Sequence, residues 1–247
     1  MSRLRPNHKA RKCRFHALLG SGLAAAVLLA AALPAGAVRA PSRAREDAKR
    51  FGLNRLERPL RRAPEEAVKS AFSRFNAASG GRWTLRFDPR TGAPAALSEG
   101  RSAPRPGAAA AVSRRFLEEQ VGLLGVDPAS LKVESETVGS GHRHVLYRQT
   151  YRGLSVEFAR VKVHMQDDGS VIGFNSNYEP RLTLGTTPSV DAASAKSAAE
   201  ADSSGLAQGA PELVILPVES TGRAHLAWKV KVHAPQAAWR YYVDALT

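Results

Sequence analysis

Three histidines carry the side chains best suited to chemistry in this chain, and their spacing is that of β-structure. His142 and His144 are two residues apart, so on a strand both rings point to one face, where His164 from a neighbouring strand could join them around a metal ion. No acidic residue stands at ligand spacing beside them, and alternation already makes His164 a solvent-facing position, so polar surface residues are the simpler reading. Asp167 and Asp168 are adjacent acids, yet they precede Gly169, where Asp serves turn geometry. Glu118 and Glu119 are neighbours on a helix and point apart, so they form no dyad. There is no H-E-x-x-H, G-x-S-x-G or phosphate-loop glycine pattern. The residues offer no catalytic machinery and no cofactor site, and the chain reads as a non-enzyme. Trp228, Trp239, Tyr241 and Tyr242 are most simply core and second-face residues of strands, with Tyr242 and Trp83 the alternatives for a binding surface.

The elements that would position these residues centre on 142–180. Apolar and polar residues alternate there in three runs separated by turn chemistry, which predicts an antiparallel meander. The first run, His144 to Tyr151, closes on Tyr151-Arg152-Gly153. In the second, Val161, Val163 and Met165 share one face and Lys162, His164 and Gln166 the other. Asp168-Gly169 turns the chain into a third run, Val171 to Phe174. A helix from Ala108 precedes the meander, with Val112, Phe116, Leu117, Gln120, Val121 and Leu124 on one stripe and Gly125 as its C-terminal cap. Upstream, a helix from Pro64 with Ala67, Val68, Ala71, Phe72 and Phe75 on one face leads through Gly80-Gly81 to a short hairpin. Downstream, Asp191 caps an Ala-rich helix, Ala192 to Ala201, followed by strands over 212–218, 225–233 and 239–245.

Charge and composition narrow the function classes. The 247 residues are 43% hydrophobic, enough for one or two modest domains, and carry a formal charge of +14. Residues 1–62 hold 15 Lys/Arg against 3 Asp/Glu, a net of +12, whereas 63–247 hold 21 against 19, a net of +2. A nearly neutral folded part argues against a nucleic-acid partner. Residues 1–37 read as a signal peptide: a basic start, an uncharged run from Ala17 to Leu33, then Pro34-Ala35-Gly36-Ala37. The alternative is an uncleaved anchor, the one route by which this chain would meet a membrane. Cys13, the only cysteine, lies in that leader, so the exported chain would have no thiol and no disulfide. The expected organisation is a signal peptide (1–37), a basic linker (38–63), a helix plus hairpin (64–107) and two successive helix-plus-antiparallel-sheet units (108–182 and 183–247), an α+β fold.

The run from His144 to Val156, with Gln149, Tyr151, Gly153 and Val156, resembles the fungalysin/thermolysin propeptide (FTP) domain of secreted zinc metallopeptidases. Asp168, Gly169, Tyr178 and Pro180 match the rest of that pattern, and Glu157-Phe158-Ala159-Arg160 stands where the family more usually has small and apolar residues. Residues 189–247, with Trp228 and Tyr242, are similar to the PepSY-type segment that follows it. The resemblance implies cystatin-like halves and a pro-region that templates a peptidase domain, blocks its cleft as an inhibitor and is then removed. The implied partner is a zinc metallopeptidase catalytic domain, in cis as part of one precursor or in trans from a stand-alone exported module. Secretion or periplasmic export follows from either.

Overall fold

The computed structural model describes residues 63–218, 221–235 and 237–247, together with the backbone of 14–16. The expected leader and linker lie outside them, apart from Arg14–His16 and Ala63. The alternating runs pair into one mostly antiparallel sheet with helices packed on it, an α+β architecture. The elements are β1 (Arg14–His16), α1 (Glu66–Ala78), β2 (Thr84–Phe87), β3 (Pro94–Ser98), α2 (Ala109–Glu119), α3 (Val121–Leu124), a 3-10 turn (Pro128–Ser130) and β4 (Leu131–Gly139). They continue with β5 (His142–Tyr151), β6 (Leu154–Gln166), β7 (Val171–Ser176), α4 (Ala192–Ser203), β8 (Leu206–Ala207), β9 (Glu212–Val218), β10 (Arg223–Ala234) and β11 (Ala237–Asp244).

The first unit places β4, β5, β6, β7, β3 and β2 side by side, all antiparallel. Its inward face sets Val145, Tyr147, Val161, Val163, Met165, Phe174 and Leu97 against Val112, Phe116 and Leu117 of α2. The Tyr147 hydroxyl reaches Ser113 Oγ at 2.6 Å, giving this aromatic a polar partner inside the core. Burial pushes the Tyr147 phenol up from its ordinary pKa. The second unit packs α4 on β10 and β11 through Ala195 and Ala199, whose lack of bulk lets the helix approach Val230, Val232, Tyr241 and Val243 closely.

Three expectations change in detail. The middle strand of the meander begins at Leu154 rather than Val161, and the strand expected to start at Leu131 runs on to Gly139 as β4. The helix from Ala108 breaks at Gln120, which re-aims the chain so that Leu123 and Leu124 are both buried while Val121 swings out to 42% exposure. Gly125 caps it at φ 65°, as its position implied. Trp83 and Tyr242 are interior residues, 4% and 2% exposed, and so present no binding surface.

Candidate functional site at the seam between the two units

The two units meet along the first residues of β6. Between the pairs Arg148–Arg160 and Thr150–Ser155, β5 spends one residue and β6 spends four, Val156 to Ala159. This bulge, with Phe158 at φ 62°, carries the start of β6 away from the meander. There Ser155 and Val156 pair in parallel with Val214 and Ile215 of β9, which makes the two sheets one. Val156, Ala159, Ile215, Leu226 and Ala245 bury one side of the seam, with Tyr151 and Trp228 packed against them. The Trp228 indole donates to the Val190 carbonyl at 2.7 Å, tying the approach to α4 into the same place.

On the other side of the seam the bulge aims Glu157 into the second unit. Its carboxylate accepts from the Tyr242 hydroxyl at 2.6 Å and from Lys229 Nζ at 3.0 Å, and Lys229 also bridges Glu212 at 2.6 Å. Burial opposes the charged carboxylate, but the Tyr242 and Lys229 hydrogen bonds outweigh it and hold the Glu157 pKa below its ordinary value. The same burial and the Glu157 charge push Tyr242 far up, so it stays a protonated donor. The Phe158 ring stands against Tyr242 edge to face, with centroids 6.1 Å apart.

Gln149, opposite the bulge, is 2% exposed and uses its amide as a short piece of strand. Its Nε2 donates to the Glu179 carbonyl at 2.9 Å and its Oε1 accepts from the Glu179 N–H at 2.8 Å. Both backbone groups of Glu179 are thus met between Tyr178 and Pro180 without a neighbouring strand. Glu179 in turn holds Arg90 by two hydrogen bonds, of 3.1 and 2.6 Å. The Tyr178 hydroxyl lies 3.1 Å from Ser130 Oγ, and the Tyr151 hydroxyl donates to the Leu184 carbonyl at 3.2 Å. Arg152 and Gly153, at φ 47° and 86°, form the two-residue turn that starts β6.

The first-unit side of this seam falls within a match to a known family. Residues 130–178 match the Fungalysin/Thermolysin Propeptide Motif. The FTP motif therefore spans the meander and ends at Tyr178, beside the Gln149 clamp. A search of curated proteins finds no match. Among solved structures, the Bacillus megaterium YpeB C-terminal domain is similar at 17% identity and a TM-score of 0.38, over 76% of this chain and 95% of that one.

Gln149, Tyr151, Gly153, Val156, Trp228 and Tyr242 thus lie at or beside one seam, while Tyr178 and Pro180 flank the Glu179 that Gln149 holds. Asp168 and Gly169 lie elsewhere, past the far end of β6, roughly 40 Å away at strand rise. There Asp168 accepts from Arg101 Nη2 at 2.5 Å and from the Ser170 N–H at 2.9 Å, while its carbonyl accepts from Arg105 N. Its hydrogen bonds with Ser170 lower its pKa, and its role is to fasten the 99–107 segment to the hairpin. A Cβ on Gly169, whose φ is 77°, would sit 1.9 Å from the Arg105 carbonyl oxygen.

The histidines share one face, as their spacing implied. His144 and His164 approach at 2.8 Å through their Nδ1 atoms, and His164 Nε2 donates to Asn175 Oδ1 at 2.8 Å. That leaves the Nδ1 of a neutral His164 as acceptor, so His144 donates from Nδ1. Burial lowers the pKa of both rings. Among the described residues no group of three or more His, Cys, Asp or Glu side chains is placed to hold a metal ion. Sequence reasoning did not place Glu157, Lys229 and Glu179 in these contacts. The detectable signal was Glu157 itself, an acid that follows Val156 where the strand pattern falters.

Proposed function

We propose that this chain is the pro-region of a secreted thermolysin- or fungalysin-type zinc metallopeptidase, acting on the catalytic domain as folding chaperone and cleft-blocking inhibitor. The FTP motif over 130–178 indicates a pro-region of such peptidases, and it carries the reading. In this reading residues 108–182 form the FTP-like unit and 183–247 a PepSY-like unit fixed to it at the Glu157 seam. A prefolded body that binds the native catalytic domain more tightly than the unfolded one stabilises it by mass action, and the same contact excludes substrate. The seam suits that task, because Val156 pairing, the Glu157 cluster and the Gln149 clamp hold two units in one orientation before the partner arrives. Residues 1–37 would direct export, after which the pro-region is cleaved away.

The test is to refold denatured thermolysin- and fungalysin-type catalytic domains from the same organism with and without the full chain, following active yield and peptide hydrolysis. The reading expects a higher yield and stoichiometric inhibition. No gain in yield together with no inhibition overturns it.

A further inference from the structure

The helices of the first unit cover only one face of its sheet, and the opposite face is cationic. Cross-strand registers put Lys132, Arg148 and Arg160 in one row, and Ser135, Leu146, Lys162, Asn175, Ala96 and Arg86 in the next. A third row holds Thr137, His144 and His164. Against these cations stand Glu134, bound by Arg160, and at the β2 edge Glu99, bound by Thr84. Since residues 63–247 carry a net charge of only +2, this is a local concentration of positive charge. Lys132, Arg148 and Lys162 have no ion-pair partner among the described residues, and the Arg148 Nε is buried without a hydrogen-bond acceptor. Like charges directly opposite on neighbouring strands destabilise a sheet. A row of Lys132, Arg148 and Arg160 is therefore a cost that folding alone does not explain.

We propose that this helix-free face docks an acidic surface of a folded protein. On the pro-region reading, on which this identification of the partner rests, that protein is the peptidase domain. The chemistry of the face selects the partner class. It presents no Phe, Tyr or Trp at these registers on which bases could stack, as single-stranded nucleic acid requires, and its two imidazoles, His144 and His164, are engaged with each other at 2.8 Å. Its one large apolar residue, Leu146, is half-buried rather than projecting, so nothing inserts into a bilayer. Hydrogen-bonding Thr137, Asn175 and His144 interleave with the cations, a mixture suited to carboxylates and carbonyls on a protein surface.

The experiment titrates a polyglutamate peptide of about 15 residues into the full chain and into an Arg148→Gln/Lys162→Gln variant. It reads amide shifts of β4 to β7 by NMR, since the basic 1–62 segment would bind the same probe. The expected result is shifts concentrated at Lys132, His144, Arg148 and Lys162 and affinity at least tenfold weaker in the variant, with its unfolding midpoint unchanged or raised. Equal affinity, shifts confined to other surfaces, a lowered midpoint, or tighter binding of phosphatidylglycerol vesicles or oligothymidine at this face would each overturn the proposal. Assaying both proteins against the peptidase domain separates the two claims. Equal inhibition by wild type and variant removes the docking face and leaves the pro-region, whereas polyglutamate binding without inhibition of any peptidase does the reverse.

Discussion

Replacing Glu157 by Ala tests whether the seam is held by its polar cluster. Removing one member of a buried ion pair costs about 3–5 kcal/mol when the remaining charge has no other partner. Lys229 keeps Glu212 at 2.6 Å and is not left unpaired, so only about 1–2 kcal/mol of that cost remains. Tyr242, 2% exposed, loses its acceptor, which adds about 1–2 kcal/mol for an unmet hydroxyl. Together these place Glu157→Ala at about 2–4 kcal/mol, and Glu157→Gln, which keeps the shape and an acceptor, at about 1–2 kcal/mol. The assay is urea unfolding at neutral pH followed by tryptophan fluorescence, because Trp228 packs against the Val156 cluster at the seam. A double-mutant cycle with Tyr242→Phe isolates the contact. Its coupling should exceed about 0.5 kcal/mol, the range over which independent sites add. A Glu157→Ala cost below about 1 kcal/mol, or additivity with Tyr242→Phe, would refute the view that this cluster joins the units.

Gln149→Leu strands the part-buried N–H and C=O of Glu179 and should cost about 1–3 kcal/mol by denaturant unfolding, with faster proteolysis of the 178–188 segment. Gly169→Ala combines a left-handed backbone with a Cβ 1.9 Å from the Arg105 carbonyl, so its thermal midpoint should fall, while Ala at the solvent-facing Gln166 should leave the midpoint within about a degree. His144 and His164 bind protons less readily when folded than their ordinary value of about 6.5, so their contribution is complete above that pH and is lost as pH falls below it. Stability measured from pH 7.5 to 5 should therefore decline, and His164→Gln should flatten the decline; a profile indifferent to that substitution would count against the paired, neutral rings.

Much of the architecture was legible because local chemistry agreed with tertiary placement. Val161, Val163 and Met165 alternate with Lys162 and His164, and the structure buries the first set and leaves the second on the open face. Asp191 caps its helix through the Ser194 N–H, as expected of an Asp before an Ala-rich run. The Gln120 break was not legible, since the apolar stripe continues through it and only packing of Leu123 and Leu124 decides the direction. The seam was hidden for a different reason. Its partners lie far apart in sequence, Glu157 with Lys229 and Tyr242 and Gln149 with Glu179, and no local period records such pairings. Gln149 was visible as a motif residue, but only the structure shows that its amide stands in for a strand.

The seam and the open face respond to acid through different residues. Glu157 is held below its ordinary pKa, so the seam's contribution is intact above the usual carboxylate range and is lost only as pH falls through that depressed value. Tyr242 is pushed up and keeps its proton throughout. The open face changes earlier, below about 6.5, where His144 and His164 take up protons beside Lys162 and His142. Protonation there adds positive charge to the face through residues that the join between the units does not use. On the docking proposal, protonating these rings strengthens attraction for a carboxylate surface that is still ionised. An apolar seam would hold the units at any pH, but it would not fix their orientation as directionally as one carboxylate shared by a hydroxyl and an ammonium group.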